Sequence, residues 1–306
     1  MKLIFSILFS FVCFGISKAQ NLYSKAYGDK KNPAIIFIHG GPSGNSNLFE
    51  ATTAQKLADK GFYVIVYDRR GEGRSKDENA TMTFQESFDD LNQIYELYHL
   101  EKANILAHSF GGIVGTLYTN HYPEKVKSLI LAGALVSQQE TYDHILENAK
   151  SAFKNDENKL REISTIESLN KNSAEYRKKT YDIASDLGYF SMPNPTTESQ
   201  NLRQEFENSE FYKTNFRNHN SPLLFYKNET QNNLDNKGVL LEITKKKIPL
   251  FAIYGQNDGI FSAKQLTDLR NIVGANNFRI LDNCSHYLFI DQQNQFLDFI
   301  KLKIKK

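Results

Sequence analysis

The stretch NILAHSFGGIVG, residues 104–115, places one serine between an apolar run and a cluster of glycines. The apolar part has the length of a buried strand, and the residues after the serine carry apolar side chains at helical spacing. A sharp strand-to-helix turn strains the backbone of its apex residue and crowds the residues two positions away. Ala107 and Gly111 are small enough to fit at those two positions. The stretch therefore predicts that the Ser109 hydroxyl stands at the carboxyl edge of a sheet as a nucleophile.

Apolar runs of strand length alternate with helical patterns on both sides of this turn. The runs cover residues 34–39, 62–67, 104–108, 128–133, 248–255 and 277–282. Continuous apolar runs are typical of strands that helices cover on both faces. The alternation predicts an α/β fold with a mostly parallel sheet flanked by helices.

The alternation stops for about a hundred residues, where the chain becomes polar and breaks into short helical patterns. The simplest interpretation is one α/β core with a helical cap inserted into it. We expect this cap after the sixth strand of the sheet. The resulting division is a signal peptide at 1–19, a first core part at 20–136, the cap at 137–245 and a second core part at 246–306.

Two further polar residues follow strands near the end of the chain. Asp258 follows the run 248–255, and His286 follows the run 277–282. In the order Ser109, Asp258, His286 these residues fit a catalytic triad on such a sheet. The histidine would act as general base, and the aspartate would fix its tautomer and stabilise its charged form.

Other acids near the histidine compete for the role of Asp258. Asp282 belongs to the end of the last strand, and we expect Asp291 to cap the final helix. His108 adjoins the serine, but adjacent side chains at a tight turn point apart. We therefore expect it to pack in the wall of the oxyanion site, while Cys284 is not expected to be the nucleophile.

A glycine-rich turn, HGGPSG at residues 39–44, follows the first core strand. Such a turn lets backbone N–H groups face the nucleophile. We expect the N–H groups of Gly41 and Phe110 to form an oxyanion hole.

The segment YDRRGEGRS, residues 67–75, lacks the third glycine of a dinucleotide-binding motif. It favours a loop held by arginine–carboxylate pairs beside the site. The sequence has no Cys or His cluster with metal-ligand spacing, so we expect neither a metal nor a cofactor.

The charge of the 306 residues is nearly balanced, with 37 basic and 35 acidic side chains. Two of the basic residues, Lys2 and Lys18, belong to the N-terminal segment. A neutral body argues against nucleic acid or an anionic membrane as the main partner. We expect a small molecule or a short peptide as the partner, and the sequence leaves the oligomeric state open.

The first residues have the three parts of a secretory signal. Lys2 precedes the apolar run 3–16, and Ser17 and Ala19 place small residues before a cut at Gln20. The run is short for a membrane-spanning helix. We therefore expect export to a periplasm or the medium, with no stable membrane insertion after cleavage.

Together these segments resemble the α/β-hydrolase family, and within it the branch of the proline iminopeptidases and the tricorn-interacting-factor aminopeptidases. The resemblance is carried by HGGP at 39–42, YDRRGEGRS at 67–75 and DNCSH at 282–286. Ser43 departs from the branch, because it shifts the last glycine of the turn by one position. The resemblance is specific for the fold and the triad but not for the substrate.

This resemblance implies an aminopeptidase on short peptides, in which an acid of the cap binds the substrate's free amine. The available cap acids are Glu205, Glu207 and Glu210, together with Glu242, although their neighbours match no motif of the branch. A carboxylesterase on small acyl esters and a non-catalytic ligand-binding homologue remain open.

Overall fold

One seven-stranded sheet runs through the part of the chain that the computed structural model describes, residues 22–305. Its strands are β1 Ser24–Tyr27, β2 Ala34–Ile38, β3 Tyr63–Tyr67, β4 Ala103–His108, β5 Val126–Ala132, β6 Leu250–Gly255 and β7 Phe278–Leu281. The strand order is β1-β3-β2-β4-β5-β6-β7. Only β1 is antiparallel to its neighbour, so the prediction of a mostly parallel sheet is confirmed.

The helices lie between these strands and after them. They are α1 Asn47–Phe49, α2 Gln55–Asp59, α3 Phe84–Leu97, α4 Gly111–His121, α5 Gln138–Ala152, α6 Glu157–Glu167, α7 Ala174–Asp186, α8 Thr197–Glu207, α9 Glu210–Lys213, α10 Ser221–Asn228, α11 Lys237–Lys245, α12 Ala263–Val273, α13 Leu288–Asp291 and α14 Gln293–Ile304. A π-helical turn, Glu50–Ala54, joins α1 to α2, and 3₁₀ turns at Pro123–Lys125 and Ala275–Asn277 precede β5 and β7.

The sheet is buried on both faces, which explains the continuous apolar runs of its central strands. Every residue of β2 and β4 is buried. Successive side chains of a strand point to opposite faces. Ile36 and Ile38 join the core cluster that contains residues of α3 and α4. Ile35 and Phe37 join the cluster that contains residues of α2 and α14.

The seven helices α5 to α11 lie between β5 and β6 and form the helical insertion. The expectation that the insertion follows a sixth strand is wrong for the described residues, where it follows the fifth. Only β1 precedes β2 among them. This short edge strand carries no fully buried residue, and it has no apolar run from which it could be predicted.

The signal peptide predicted over residues 1–19 lies outside the described residues. Among residues 22–305, no helix is both long enough and apolar enough to cross a membrane. The carboxyl ends of the parallel strands β2, β4, β6 and β7 meet at one edge of the sheet. The loops that follow these four strands carry the candidate site.

Candidate active site

Ser109 occupies the turn between β4 and α4 with a backbone φ of 54°. This left-handed conformation is unfavourable for a residue with a Cβ and is typical of strained functional turns. Gly111, two residues later, packs so closely against β2 that an added Cβ would lie 2.4 Å from the carbonyl oxygen of Ile38. The buried Ala107 fills the preceding small position. The turn therefore has the strained geometry that the sequence predicts.

Asp258 and His286 lie in the loops after β6 and β7 and form a hydrogen-bonded pair. The His286 Nδ1 and Asp258 Oδ2 atoms are 2.8 Å apart, and both side chains are buried. An aspartate bound at Nδ1 leaves the Nε2 atom for another partner. Within residues 22–305 the Ser109 hydroxyl makes no hydrogen bond of its own. Catalytic hydrogen bonds are often long in the absence of substrate, so this geometry is compatible with a triad.

The two loops are fixed to each other through their backbones. Asn257 donates its N–H to the carbonyl of Cys284 at 2.8 Å. A Cβ added to Gly255 would lie 2.3 Å from the carbonyl oxygens of Cys284 and Ser285, so only glycine fits at the end of β6. This close approach sets the spacing of the two loops that carry Asp258 and His286.

His108 supports the histidine loop, and its Nδ1 atom lies beside Gly40 of the glycine-rich turn. Its Nε2 atom lies 2.9 Å from the backbone carbonyl oxygen of His286. Because a carbonyl only accepts, Nε2 carries the proton. Burial, with the nearby His286 ring, lowers the pKa of His108 to about 3. The neutral ring therefore ties the Ser109 turn to the loop of His286.

The two N–H groups expected to form the oxyanion hole have no acceptor among the described residues. Neither the N–H of Gly41 nor that of Phe110 donates a hydrogen bond there. The loop that carries Gly41 is fixed through its carbonyl oxygens instead. The guanidinium of Arg69 donates to the carbonyls of His39 and Gly40, at 2.7 Å each.

A buried acid completes the support of this loop. Glu72 pairs with Arg69 at 2.8 Å and accepts a hydrogen bond from the backbone N–H of Ser43. Burial raises the pKa of Glu72, although the charge of Arg69 opposes that rise. Since Glu72 already has these two partners, it supports the loop and is not a free acid for a substrate amine.

The segment 67–75 is held by arginine–carboxylate pairs, which confirms the prediction. Arg74 contacts Asp68 and Glu50 at 2.7 Å each, and both carboxylates are fully buried. Burial alone raises the pKa of Asp68, but the hydrogen bonds and the charge of Arg74 lower it overall. The loop beside the site is therefore built on a buried charge network.

The cap glutamates named from the sequence are exposed. Helix α8 buries Leu202 and Phe206, and this leaves Glu205 and Glu207 exposed on its other face. Glu210 is 85% exposed and pairs with Lys213 at the start of α9. The assignment of Glu205, Glu207 and Glu210 as amine-binding residues stays a prediction, and their exposed positions do not favour it. Glu242, on α11, likewise pairs with an exposed lysine.

The competing acids near His286 have other surroundings. Asp282 is exposed. Asp291 is buried, accepts hydrogen bonds from the N–H and hydroxyl of Ser285 at 2.8 and 2.5 Å, and pairs with Arg203 of the cap at 2.9 Å. The expectation that Asp291 caps the last helix is wrong, because Gln292 occupies that position. Asp291 instead anchors the histidine loop to the cap.

Cys284 is fully buried, and burial raises the pKa of its thiol, so it stays protonated. Among the described residues, no cluster of three or more His, Cys, Asp or Glu side chains has a metal-binding arrangement.

Residues of the insertion on and after α7 lie beside the site without any signal in the sequence. Phe190 lies 5.5 Å from the His286 ring, centre to centre, and Tyr181 lies 6.2 Å from Phe190. Arg177 donates from Nη2 to the carbonyl of Gly41 at 2.8 Å. They lie on α7 and in the loop after it, and only packing of the insertion on the sheet edge brings them here.

Comparisons with known proteins agree with this architecture. The family model described as the alpha/beta hydrolase fold matches residues 33–293. The proline iminopeptidase of Lactobacillus acidophilus is 23% identical, and the match covers 89% of each chain. That of Lactobacillus delbrueckii subsp. bulgaricus is 35% identical over 38% of this chain and 41% of its own. The chain spans about two fifths of the length of the first curated relatives that it matches.

Solved structures resemble the chain over nearly its whole length. A proline iminopeptidase-related protein from Thermus thermophilus has a TM-score of 0.66 at 22% identity, with 93% of each chain covered. An esterase from Exiguobacterium antarcticum has a TM-score of 0.59 at 19% identity, with 93% of this chain and 96% of its own covered. At these identities the likeness concerns the fold.

Proposed function

The chain belongs to the α/β-hydrolase family, and from this premise we propose that it is a serine hydrolase with Ser109, His286 and Asp258 as its triad. One observation carries the proposal. The hydrogen-bonded pair of Asp258 and His286 lies at the same sheet edge as a serine held in a strained strand-to-helix turn. These are the geometric roles that a nucleophile, its base and the orienting acid require.

The proposed acylation begins when the Ser109 Oγ atom attacks the substrate carbonyl carbon. His286 takes the serine proton on Nε2, and the carbonyl electrons move to the oxygen. The N–H groups of Gly41 and Phe110 would bind this oxyanion. His286 then gives its proton to the leaving group, whose bond to carbon breaks and leaves an acyl-enzyme. Water repeats these steps and releases the acid.

The surroundings of the triad support these roles. Asp258 would keep the proton of neutral His286 on Nδ1 and stabilise the imidazolium that forms. Helix α4 begins directly after Ser109 and Phe110, so its partial positive charge faces the developing oxyanion.

The substrate class that we propose first is a short peptide from which the enzyme releases the N-terminal residue. Support comes from the curated relatives, among them one proline iminopeptidase that matches over most of its length. The helical insertion supplies Phe190 and Tyr181 above His286, which would restrict the cleft to small substrates.

A carboxylesterase is the second candidate, and one observation favours it. The three cap glutamates expected to bind a free amine face the solvent. An esterase has the same triad chemistry and needs no such acid.

Hydrolysis of aminoacyl-arylamides, p-nitrophenyl acetate and p-nitrophenyl butyrate separates these functions, with Ser109→Ala as the control. Arylamide cleavage that needs Ser109 and is lost when the amine is blocked would support the aminopeptidase. Ester turnover without arylamide cleavage would support the esterase. If a fluorophosphonate failed to label Ser109 and no substrate was turned over, the chain would be a non-catalytic ligand-binding homologue.

We also propose that the protein is exported and cleaved after Ala19. The support is the pattern of residues 1–19. Mass spectrometry of the protein from a periplasmic or extracellular fraction should find Gln20 at the N-terminus, and an intact Met1 in the cytoplasm would contradict export.

A further inference from the structure

Arg177 places a positive charge next to the proposed oxyanion hole. It lies on α7 of the insertion and donates from Nη2 to the carbonyl oxygen of Gly41 at 2.8 Å. Gly41 also carries one of the two proposed oxyanion donors on its N–H. The guanidinium therefore lies close to the point where a substrate carbonyl would bind.

This arginine has no acidic partner among residues 22–305. The three acids of its own helix pair with lysines, Glu175 with Lys179, Asp182 with Lys178 and Asp186 with Lys159. Arg177 itself forms no ion pair and is half-buried. A guanidinium has several N–H donors, and only one of them is used here. Removing a cation from water without a counter-ion is costly, so the position favours an anion.

The surface around Arg177 is aromatic and leads to the histidine of the triad. Its guanidinium carbon lies 5.0 Å from the centre of the Tyr181 ring. Phe190 then lies between Tyr181 and His286, at centre-to-centre distances of 6.2 and 5.5 Å. The Tyr181 hydroxyl has no hydrogen-bond partner in the described chain. Arg177 and His286 thus border one patch of aromatic side chains.

The charge of Arg177 also acts on two further tyrosines, Tyr142 and Tyr226. The hydroxyls of Tyr142 and Tyr226 are 3.3 Å apart. Burial raises the pKa of both groups, and the charge of Arg177 opposes that rise. Neutral phenols that border a cation cannot cancel its positive charge.

We propose that Arg177 binds a carboxylate of the substrate, so that the enzyme prefers substrates with a carboxylate a few bonds from the scissile carbonyl. The inference rests on the proposed function, because it concerns the specificity of the Ser109 reaction. A planar guanidinium recognises a carboxylate through paired hydrogen bonds, which lysine cannot reproduce. The carboxylate comes either from the C-terminus of a dipeptide or from the acyl chain of an ester.

Two matched substrate pairs distinguish these sources. Prolyl-alanine is compared with prolyl-alanine amide, and ethyl hydrogen succinate is compared with ethyl butyrate, in which a methyl group replaces the carboxylate. For each pair the ratio of kcat/KM for the charged over the neutral substrate is measured in the wild type, Arg177→Gln and Arg177→Lys. Lys178→Gln is the control, because it removes the same charge from the neighbouring exposed position.

We expect the wild type to prefer the charged member of one pair, and the pair that responds identifies the source of the carboxylate. Arg177→Gln should lower that ratio about 10- to 100-fold, the value of a hydrogen bond to a charged group. Arg177→Lys should restore only part of it, and Lys178→Gln should leave it unchanged. If Arg177 only fixed the Gly41 loop, Arg177→Gln would lower kcat/KM for both substrates of a pair, and their ratio would stay constant.

Each contrary result has its own meaning. A ratio that Arg177→Gln does not change would overturn the carboxylate site and leave the proposed function standing. Labelling of Ser109 by a fluorophosphonate without turnover of either charged substrate would likewise overturn the carboxylate site and leave the proposed function standing. Absence of both labelling and turnover would overturn the proposed function, and the inference with it.

Discussion

The sheet edge and the helical insertion differ in how they hold their charges. At the edge, Arg74 lies between two fully buried carboxylates, Asp68 and Glu50. In the insertion, a pair such as Lys178 with Asp182 leaves both side chains more than half exposed. Buried pairs demand one geometry, whereas exposed pairs contribute little and tolerate change. The sheet edge is therefore held in one geometry by its own buried ion pairs. The position of the insertion depends mainly on its packing against the core.

The two regions share an apolar cluster, and specific polar contacts also join them. Arg203 of α8 pairs with the buried Asp291 of the histidine loop at 2.9 Å. Asn47 of the core donates to the carbonyl oxygen of Phe211 in α9 at 2.7 Å. With Arg177 on Gly41, these bonds set the position of the insertion above the triad. Substitutions in either region test this contrast.

The largest effect is expected from Asp258→Asn, at the edge. The amide should favour the wrong tautomer of His286, and kcat should fall about 10⁴-fold, by analogy with the serine-protease triad. Rates are measured on the best substrate of the panel, with Ser109→Ala as the inactive reference and circular dichroism to check folding. Activity close to that of the wild type would mean that another acid orients His286.

Arg74 and Lys178 carry the same charge, one between buried carboxylates and the other on an exposed helix face. Arg74→Gln should lower the free energy of unfolding by about 3–5 kcal/mol, because two buried carboxylates lose their partner. Lys178→Gln removes the same charge from the insertion and should lower it far less. Urea unfolding of both variants measures the difference. Equal losses would remove the contrast between the two regions.

The third prediction concerns His108 and pH. Its pKa is about 3 in the folded chain and 6.5 for an ordinary histidine, so the unfolded chain binds the extra proton between these values. Stability should therefore fall as the pH drops below about 6.5, by up to about 1.4 kcal/mol per pH unit from this group. Urea unfolding at pH 7 and pH 5 compares the wild type with His108→Gln, in which this part of the slope should vanish.

His219→Gln changes an exposed histidine of the insertion and is the matched control. An unchanged slope in His108→Gln would mean that the buried ring does not set the acid sensitivity.

The smallest effect is expected from the glutamates of the insertion. The triple variant Glu205→Gln, Glu207→Gln and Glu210→Gln should change kcat/KM by less than about twofold, because exposed charges are screened. The measurement uses substrates with free and blocked amines. A large rise in KM for the free amines alone would return these residues to the substrate site.

The elements that could be predicted are those with local constraints. Ser109 was identifiable because only small residues fit two positions from a strained turn, and Gly111 indeed packs against the carbonyl of Ile38. Asp258 and His286 could be placed because they follow apolar runs, and parallel strands bring their carboxyl ends to one edge. The Arg74 network could be expected from the density of arginines and acids in one short loop.

The differences between the predictions and the structure lie where the local sequence carries no constraint. Strand β1 was missed because no residue of it is fully buried. The sequence predicts that Asp291 caps the last helix. Its partners are instead Ser285 and Arg203, and Arg203 belongs to the insertion, far away in the sequence. Glu205, Glu207 and Glu210 had the charge that the resemblance demanded, but the amphipathic pattern of α8 turns the first two outward.

By itself the sequence determined the α/β core, the strained Ser109 turn and the order of the three triad candidates. Burial on both sheet faces and crowding at a tight turn permit few residue types, so short stretches of sequence are enough to determine these features. Only the tertiary structure decided which side chains of the insertion face the site. It put Arg177 on the carbonyl of Gly41 and left the glutamates in water. The orientation of an inserted helix depends on distant packing contacts, which no short stretch of sequence encodes.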